Sequence, residues 1–310
     1  MPELPEVETI AQGLARRITG DVIESIWLGR KPEPLKSPAR EIAAAVEDAR
    51  IAAVRRMGKH IVFDLEANGV VRPASPTKNQ QQLRDGRKGS KTGSTRPQSI
   101  SHADADKSVR ATRQFIVHLG MSGRLQVCEA QEEIAKHTHA IAKLASGREV
   151  RFVDPRRFGR LSVARAGDFD TVGIEPLEID LDRFVALFRG RKTPIKSALL
   201  NQKLLRGVGN IYADESLFRA GIRPRRRAST IAGNQFAKLL DGIKEVLKEA
   251  IALGGSTISN YVDSNGEEGF FQLQHRVYGR EGEPCLVCKT PIKRIVIAGR
   301  SSHYCPKCQK

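Results

Sequence analysis

The sequence predicts an α+β fold, with strands gathered in the first half and helices in the second. Three observations carry this. Short strand-like apolar runs recur from Val22 to Val153, helical periodicity takes over from Leu181, and two Cys-x-x-Cys pairs close the chain. Strands followed by helices, instead of a regular alternation of the two, point to an α+β arrangement or to separate domains. With 310 residues there is room for two domains and a proper core.

The chain opens Met1-Pro2-Glu3-Leu4-Pro5-Glu6-Val7-Glu8. Pro5 with Glu6 and Glu8 reads as a helix start, with acids at the positive end of the dipole. Val7, Ile10, Leu14 and Ile18 continue it as an apolar stripe to about Ile18. A second reading holds alongside the first. Removal of Met1 would leave Pro2 with a free secondary amine. A chain-terminal amine titrates at about 7.7–8.0, against about 10.4 for lysine, so a useful fraction is unprotonated at neutral pH. Such an amine can attack an electrophilic carbon to form an imine, with Glu3 as a proton carrier.

Strands are expected at Val22–Leu28, Ile51–Met57 and His60–Leu65, with a helical turn at Ile42–Val46. Arg55-Arg56-Met57-Gly58-Lys59-His60 sets a basic cluster at the turn between two of them. It reads either as a solvated hairpin tip or as a way of bringing Lys59 to a phosphate or a reacting sugar. From Arg72 to Arg113 large apolar residues nearly vanish, and ten Lys and Arg stand against three Asp. Such a stretch, 72–113, cannot bury enough surface to order itself. It is expected to be a basic low-complexity insertion, either neutral or adding non-specific DNA affinity.

Phe115–Leu119 and Arg124–Val127 are the next strands, joined by Gly120-Met121-Ser122-Gly123. Met121 at that tip either folds back on the core or is a wedge for a base stack. His137 and His139 precede strands Ala140–Leu144 and Glu149–Val153. Asp154-Pro155-Arg156-Arg157-Phe158-Gly159-Arg160 follows, mixing arginines with an aromatic as a nucleic-acid probe would, unless its arginines simply pair with Asp154.

Residues 173–180 read as a linker between a first domain, 1–172, and a helical one, 181–274. Helices are expected at Leu181–Phe188, Ile195–Leu200, Ile211–Ala220 and Ile231–Leu253. Between the second and third, Gly207-Val208-Gly209-Asn210 permits a tight turn and puts Asn210 at a helix start, where free N–H groups favour a phosphate. Helix, glycine turn, helix is an outline used for DNA binding. Ser256–Arg276 reads as a mobile polar loop of the kind that closes over a bound group.

The tail, 275–310, carries Cys285-x2-Cys288 and Cys305-x2-Cys308, sixteen residues apart. This is the spacing of a closed four-cysteine zinc site, structural because no coordination position is left open. Strands Ile292–Ala298 and Ser301–Tyr304 place Arg300 at the hairpin tip between the pairs. A net charge of +17 and a pI near 10 call for a polyanionic partner, nucleic acid before membrane. No apolar run approaches the roughly 18 residues of a membrane span, and no signal peptide opens the chain, so a cytoplasmic location is expected.

Residues 2–9, His118–Gly123, Asp154–Gly159, Gly207–Ala213 and the four-cysteine tail together resemble the bacterial formamidopyrimidine-DNA glycosylases of the MutM type. The resemblance runs from residue 2 to the end, apart from the insertion, which falls where the family has a short hairpin connection. It implies an N-terminal β-sandwich with flanking helices, a helix-two-turn-helix domain and a zinc finger, with double-stranded damaged DNA in the cleft between them. It implies a monomeric base-excision enzyme that removes 8-oxoguanine and formamidopyrimidines and cuts the abasic strand by β,δ-elimination. It implies no cofactor beyond one zinc ion. By motif, Pro2 would attack the sugar, Glu3 would donate a proton to it, Glu6 would support that end of the site and Lys59 would serve base excision. Met121, Arg156 and Phe158 would fill the gap left by the everted nucleotide. Lys196, Asn210 and Arg300 would hold phosphates, Arg300 also serving δ-elimination, and His137 and Arg191 would be further DNA contacts. Two alternatives remain open: the endonuclease VIII branch with oxidised pyrimidines as substrate, and a non-catalytic basic zinc-finger protein, which leaves Pro2 and Glu3 without a role.

Overall fold

The computed structural model describes residues 1–67, 112–170, 172–257, 263–264 and 266–310. Almost all of the 72–113 insertion lies outside the described residues, as do Asn260 and Tyr261 of the polar loop.

Helix α1 (Leu4–Ile18) begins as the acids and proline dictate: Glu3 and Glu6 form a reciprocal capping box, and Pro5 occupies the first turn. Then come β1 (Val22–Leu28), α2 (Ala39–Val46), β2 (Ala49–Met57), β3 (His60–Ala67), β4 (Arg113–His118), β5 (Arg124–Glu129), β6 (Thr138–Leu144), β7 (Arg148–Val153) and β8 (Arg160–Arg165). These eight strands form one antiparallel sheet in the order β5-β7-β6-β1-β2-β3-β4-β8. The expected sandwich is therefore a single sheet folded over on itself. The fold line is the shortest pairing, β1 with β2, where only Val22–Arg50 and Ile23–Ala49 are in register. Apolar side chains from both halves, among them Ile23, Phe63, Phe115, Leu125, Phe152 and Leu161, share one core. The amphipathic stripe Val7, Ile10, Leu14 and Ile18 of α1 seals it.

The second half holds α3 (Leu181–Phe188), α4 (Ile195–Leu199), α5 (Asn210–Arg219) and α6 (Gly233–Ala252), then the hairpin β9 (Lys293–Ile297) and β10 (Arg300–Tyr304). Phe184, Phe188, Tyr212, Phe236 and Phe271 anchor a separate core. One residue of the first domain belongs to it: Leu4, whose N–H also donates to the Gly207 carbonyl at 3.0 Å. At Gly207 φ is +90°, and a Cβ there would meet Leu4 Cδ1 at 2.8 Å. The glycine turn thus lets the chain's first residues dock on the helical domain.

A buried ion network reinforces that junction. Arg56 on β2 bonds Glu8 of α1 at 2.6 Å and both oxygens of Glu175 at 3.0 and 2.7 Å, and Glu175 also receives Arg206 at 3.2 Å. The guanidinium further donates to the Gly58 carbonyl, one residue before Lys59.

Candidate active site and nucleic-acid interface

A cleft of about 980 Å³ opens where the sheet domain, the helical domain and the zinc-finger hairpin meet. Its walls include Pro2, Glu3, Glu6, Lys59 and Met121 from the first, Asn210 from the second, and Arg294 and Arg300 from the third. Residues nearly 300 positions apart in sequence are brought together by the docking of Leu4 and by α5.

Helix α5 organises the polar groups. Its first-turn N–H groups, Ile211 at 3.2 Å and Tyr212 at 3.5 Å, donate to the Glu3 carboxylate. The helix terminus that the sequence offers to a phosphate is thus already taken by Glu3, and Asn210 instead turns its amide to Ser301 Oγ at 3.3 Å. Gly209 must be glycine, because a Cβ would lie 2.2–2.5 Å from the Glu3 carboxylate atoms. Glu3 donates its own N–H to Glu6 Oε2 at 2.7 Å, and Glu6 accepts from Ser256 N at 2.8 Å and from the Tyr212 hydroxyl.

Burial pushes the Glu3 carboxyl up to about 7, with Glu6 adding to the rise and the Lys59 charge opposing it. Burial likewise pulls Lys59 below the ordinary lysine value, against the attraction of Glu3 and Glu6. An acid and an amine with perturbed, converging affinities for a proton, both facing one cleft, are suited to proton transfer near neutral pH.

The rim is built differently. The Met121 side chain is 41% exposed and that of Phe158 46%. The alternative in which the loop arginines pair with Asp154 is not realised among the described residues, where Arg157 pairs with Glu33. Asp154 is buried and instead accepts Ser122 Oγ at 2.6 Å, Arg156 N at 3.2 Å and Gly159 N at 2.7 Å. One carboxylate therefore binds the Met121 turn to the Arg156–Phe158 loop. Gly120 (φ +66°) allows the contact, since a Cβ would strike the Phe158 backbone at 2.5 Å. The Arg156 guanidinium lies 5.1 Å from the Phe158 ring centre. Behind this turn, His118 Nδ1 accepts Gly120 N at 3.1 Å, and burial lowers the His118 pKa to about 4, which leaves it neutral.

The remaining expected site residues are spread more widely. His137 is exposed in a left-handed conformation (φ 70°), and its carbonyl receives Asp154 N. Arg191 is exposed on the helical domain, with its Nε on the Leu187 carbonyl at 2.6 Å. Lys196 is not on the surface at all. Its ammonium is fully buried, 2.7 Å from Asp214 Oδ1 and 2.6 Å from the Ser301 carbonyl. Held there, the ammonium faces no open surface, and its bond to the Ser301 carbonyl ties α4 to the strand that bears Arg300. Asp214 completes the tie, accepting Ser302 Oγ at 2.9 Å and His303 N at 2.8 Å. Arg300 itself is exposed, flanking the Ala298-Gly299 turn.

The sequence does not single out Tyr212, Ser256 or Asp214. Tyr212 sits in the Gly207–Ala213 motif, which was the available signal. The others hold partners too remote to pair by eye: Ser256 and Glu6 are 250 positions apart.

The four cysteine sulfurs lie within 4.8 Å of one another, with Cys285–Cys308 at 3.9 Å and Cys288–Cys305 at 3.4 Å. Four sulfurs at about 2.3 Å from a tetrahedral zinc stand about 3.8 Å apart, so the cage fits that ion. Cys285, Cys288, Cys305 and Cys308 form one structural zinc site whose ligands frame the Arg300 hairpin.

Fold, charge and cleft define a zinc-finger enzyme that works on DNA. Residues 1–161 match the formamidopyrimidine-DNA glycosylase N-terminal domain, residues 172–262 the H2TH domain of the same enzymes, and residues 282–310 the zinc finger found in FPG and IleRS. A formamidopyrimidine-DNA glycosylase of Solibacter usitatus (strain Ellin6076) is 40% identical over 318 residues, covering 100% of both chains. The crystal structure of the MutM (Fpg) protein of Thermus thermophilus superposes with a TM-score of 0.77 at 35% identity, covering 99% of this chain and 98% of that one. Lactococcus lactis Fpg in complex with DNA containing an abasic site gives 0.80 at 28% identity, covering 99% of each chain. The chain belongs to the formamidopyrimidine-DNA glycosylase family, a family of DNA glycosylases that act in base excision repair.

Proposed function

We propose that this protein excises oxidised purines, 8-oxoguanine and formamidopyrimidines, from double-stranded DNA and then cleaves the abasic strand by β,δ-elimination. The observation that carries the reading is the convergence of Pro2, Glu3, Lys59 and Arg300 on one cleft. Met1 is half exposed at its mouth, and its removal frees the Pro2 amine as nucleophile. A base inside a duplex is out of reach of that amine, so the nucleotide must leave the stack. Met121 and Phe158 are apolar, exposed and backed by a rigid turn, and they offset the unstacking cost of a few kcal/mol.

With the sugar in the cleft, the Pro2 nitrogen attacks C1′ as the base departs, and the protonated Glu3 delivers its proton to the opening sugar. Glu6, fixed by Tyr212 and Ser256, holds Glu3 in place through the Glu3 N–H. Lys59 supplies positive charge and a proton at the base-excision step. Arg300 holds a phosphate and donates the proton for δ-elimination. Zinc keeps the hairpin folded and takes no part in the chemistry. All three modules that line the cleft come from one chain, which supports action as a monomer, and a DNA substrate supports a cytoplasmic site of action. Among the described residues no helix is long and apolar enough to cross a membrane.

The test is excision from matched duplexes holding 8-oxoguanine opposite cytosine or thymine glycol opposite adenine. Preferred release of 8-oxoguanine, with strand ends bearing phosphates on both sides of the gap, is expected. A preference for thymine glycol would move the protein to the pyrimidine-specific branch.

A further inference from the structure

Residues 183–240 contain thirteen Arg and Lys and only two acids, Asp214 and Glu215, and no acid follows Glu283. Both acids are buried. The fold joins these stretches into one surface. The segment at 191–195 is hydrogen-bonded to the one at 226–229, through Ser229 N to the Arg191 carbonyl (2.8 Å), Ala228 N to Thr193 (3.0 Å) and Ile195 N to Arg226 (2.8 Å). Arg225 reaches the Val296 carbonyl of β9 at 3.3 Å, and Val296 and Arg294 line the cleft. Arg191, Lys192, Arg225, Arg227 and Arg294 are all exposed, and none makes an ion pair among the described residues. A continuous strip of unneutralised cations thus runs out of the cleft, past the zinc-finger hairpin and across the helical domain.

We propose that this strip is a second, non-catalytic duplex-binding surface, which takes up DNA beyond the segment held in the cleft through Arg225, Arg227 and Lys192. Duplex phosphates are the partner it fits: the segments that carry the cations, 191–195, 225–227 and 293–297, are tied to one another by hydrogen bonds and hold no aromatic residue to stack on bases. Each phosphate neutralised there releases counterions and steepens the salt dependence of binding. Arg225, Arg227 and Lys192 thereby hold the enzyme on undamaged DNA flanking a lesion. The inference rests on the glycosylase reading for the direction in which DNA leaves the cleft.

The experiment compares the full-length protein with R225A/R227A on two duplexes carrying the same central 8-oxoguanine. One is about 12 and one about 30 base pairs long, spanning roughly 40 and 100 Å at 3.4 Å per step. Affinity is measured by anisotropy across a salt series, and excision on the same samples. K143A/R40A, two exposed cations on the sheet domain, is the control. The double variant should bind the long duplex about tenfold more weakly, with a log–log salt slope flatter by about 2, and the short duplex within about twofold. Unchanged affinity and slope on the long duplex would overturn the proposal. So would an equal loss on both lengths, which would put the arginines in the cleft contact. Failure of the wild type to excise 8-oxoguanine would instead count against the glycosylase reading, and the duplex-length comparison would still be scored on binding.

Discussion

Glu3, Glu6 and Lys59 are almost sealed from solvent, while Met121 and Phe158 in the same domain leave 41% and 46% of their surface in water. Each set is expensive in its own way. A buried carboxyl and ammonium forfeit hydration, and here the loss is offset by N–H donors of α5, by the Glu3–Glu6 capping box and by mutual attraction. The exposed apolar pair contributes almost nothing to folding, so its rationale lies in a partner that covers it. In the proposed reaction the interior set carries the proton chemistry and the rim set displaces a base. The two should therefore fail differently when altered.

The largest separation is expected at Glu3. Glu3→Gln should cut base excision by about 10²–10⁴-fold, the usual worth of a positioned proton donor, while binding of lesion DNA changes little. It should also change the pH dependence of stability. The folded-state value of Glu3 is raised from 4.5 to about 7, so between these values the folded protein holds the proton and the unfolded chain does not. Stability from this group is then present below about 4.5 and is lost as pH rises toward 7, by roughly 3 kcal/mol. Denaturant titrations at several pH values should show this slope in the wild type and a flatter one in Glu3→Gln.

Asp214→Asn comes next. It leaves the Lys196 ammonium buried without its counterion, which should cost about 3–5 kcal/mol in a urea melt, and Lys196→Met in the same chain should recover much of that. If the pair positions the Arg300 strand, the double variant should regain stability and yet yield a smaller share of δ-elimination product. Cys305→Ser should lose zinc and weaken DNA binding about tenfold or more, with the sheet domain still folded, because the metal supplies the free energy that orders the finger. Zinc content and near-ultraviolet circular dichroism check this. The smallest structural effect belongs to the rim. Met121→Ala should leave stability within about 0.5 kcal/mol, as expected for an exposed side chain, and lower base excision from a lesion duplex more than strand cleavage at a pre-formed abasic site.

The same contrast governs what the sequence made legible. Local signals worked where partners are local. The capping residues of α1, its apolar stripe and the Cys-x-x-Cys knuckles lie within a few residues of one another, and the matching elements are present. Strand β8 was not expected, because Arg160–Arg165 alternates weakly and follows a loop whose arginines draw attention first. The single folded sheet was hidden because its two halves are joined by only two register pairs. Lys196 looks the same in sequence whether it meets a phosphate or an aspartate eighteen positions away, and only the packing of α4 on α5 decides between them. Likewise nothing local says that a carboxylate from residue 3 will occupy the start of α5.

In the proposed reaction the chain-end amine performs the chemistry. Its most direct test is borohydride reduction during reaction with a duplex holding one 8-oxoguanine opposite cytosine, using protein shown by mass to lack Met1. A covalent protein–DNA adduct that peptide mapping assigns to Pro2 is the predicted result. Turnover with no trapped adduct, or an adduct on Lys59 in place of Pro2, would contradict it.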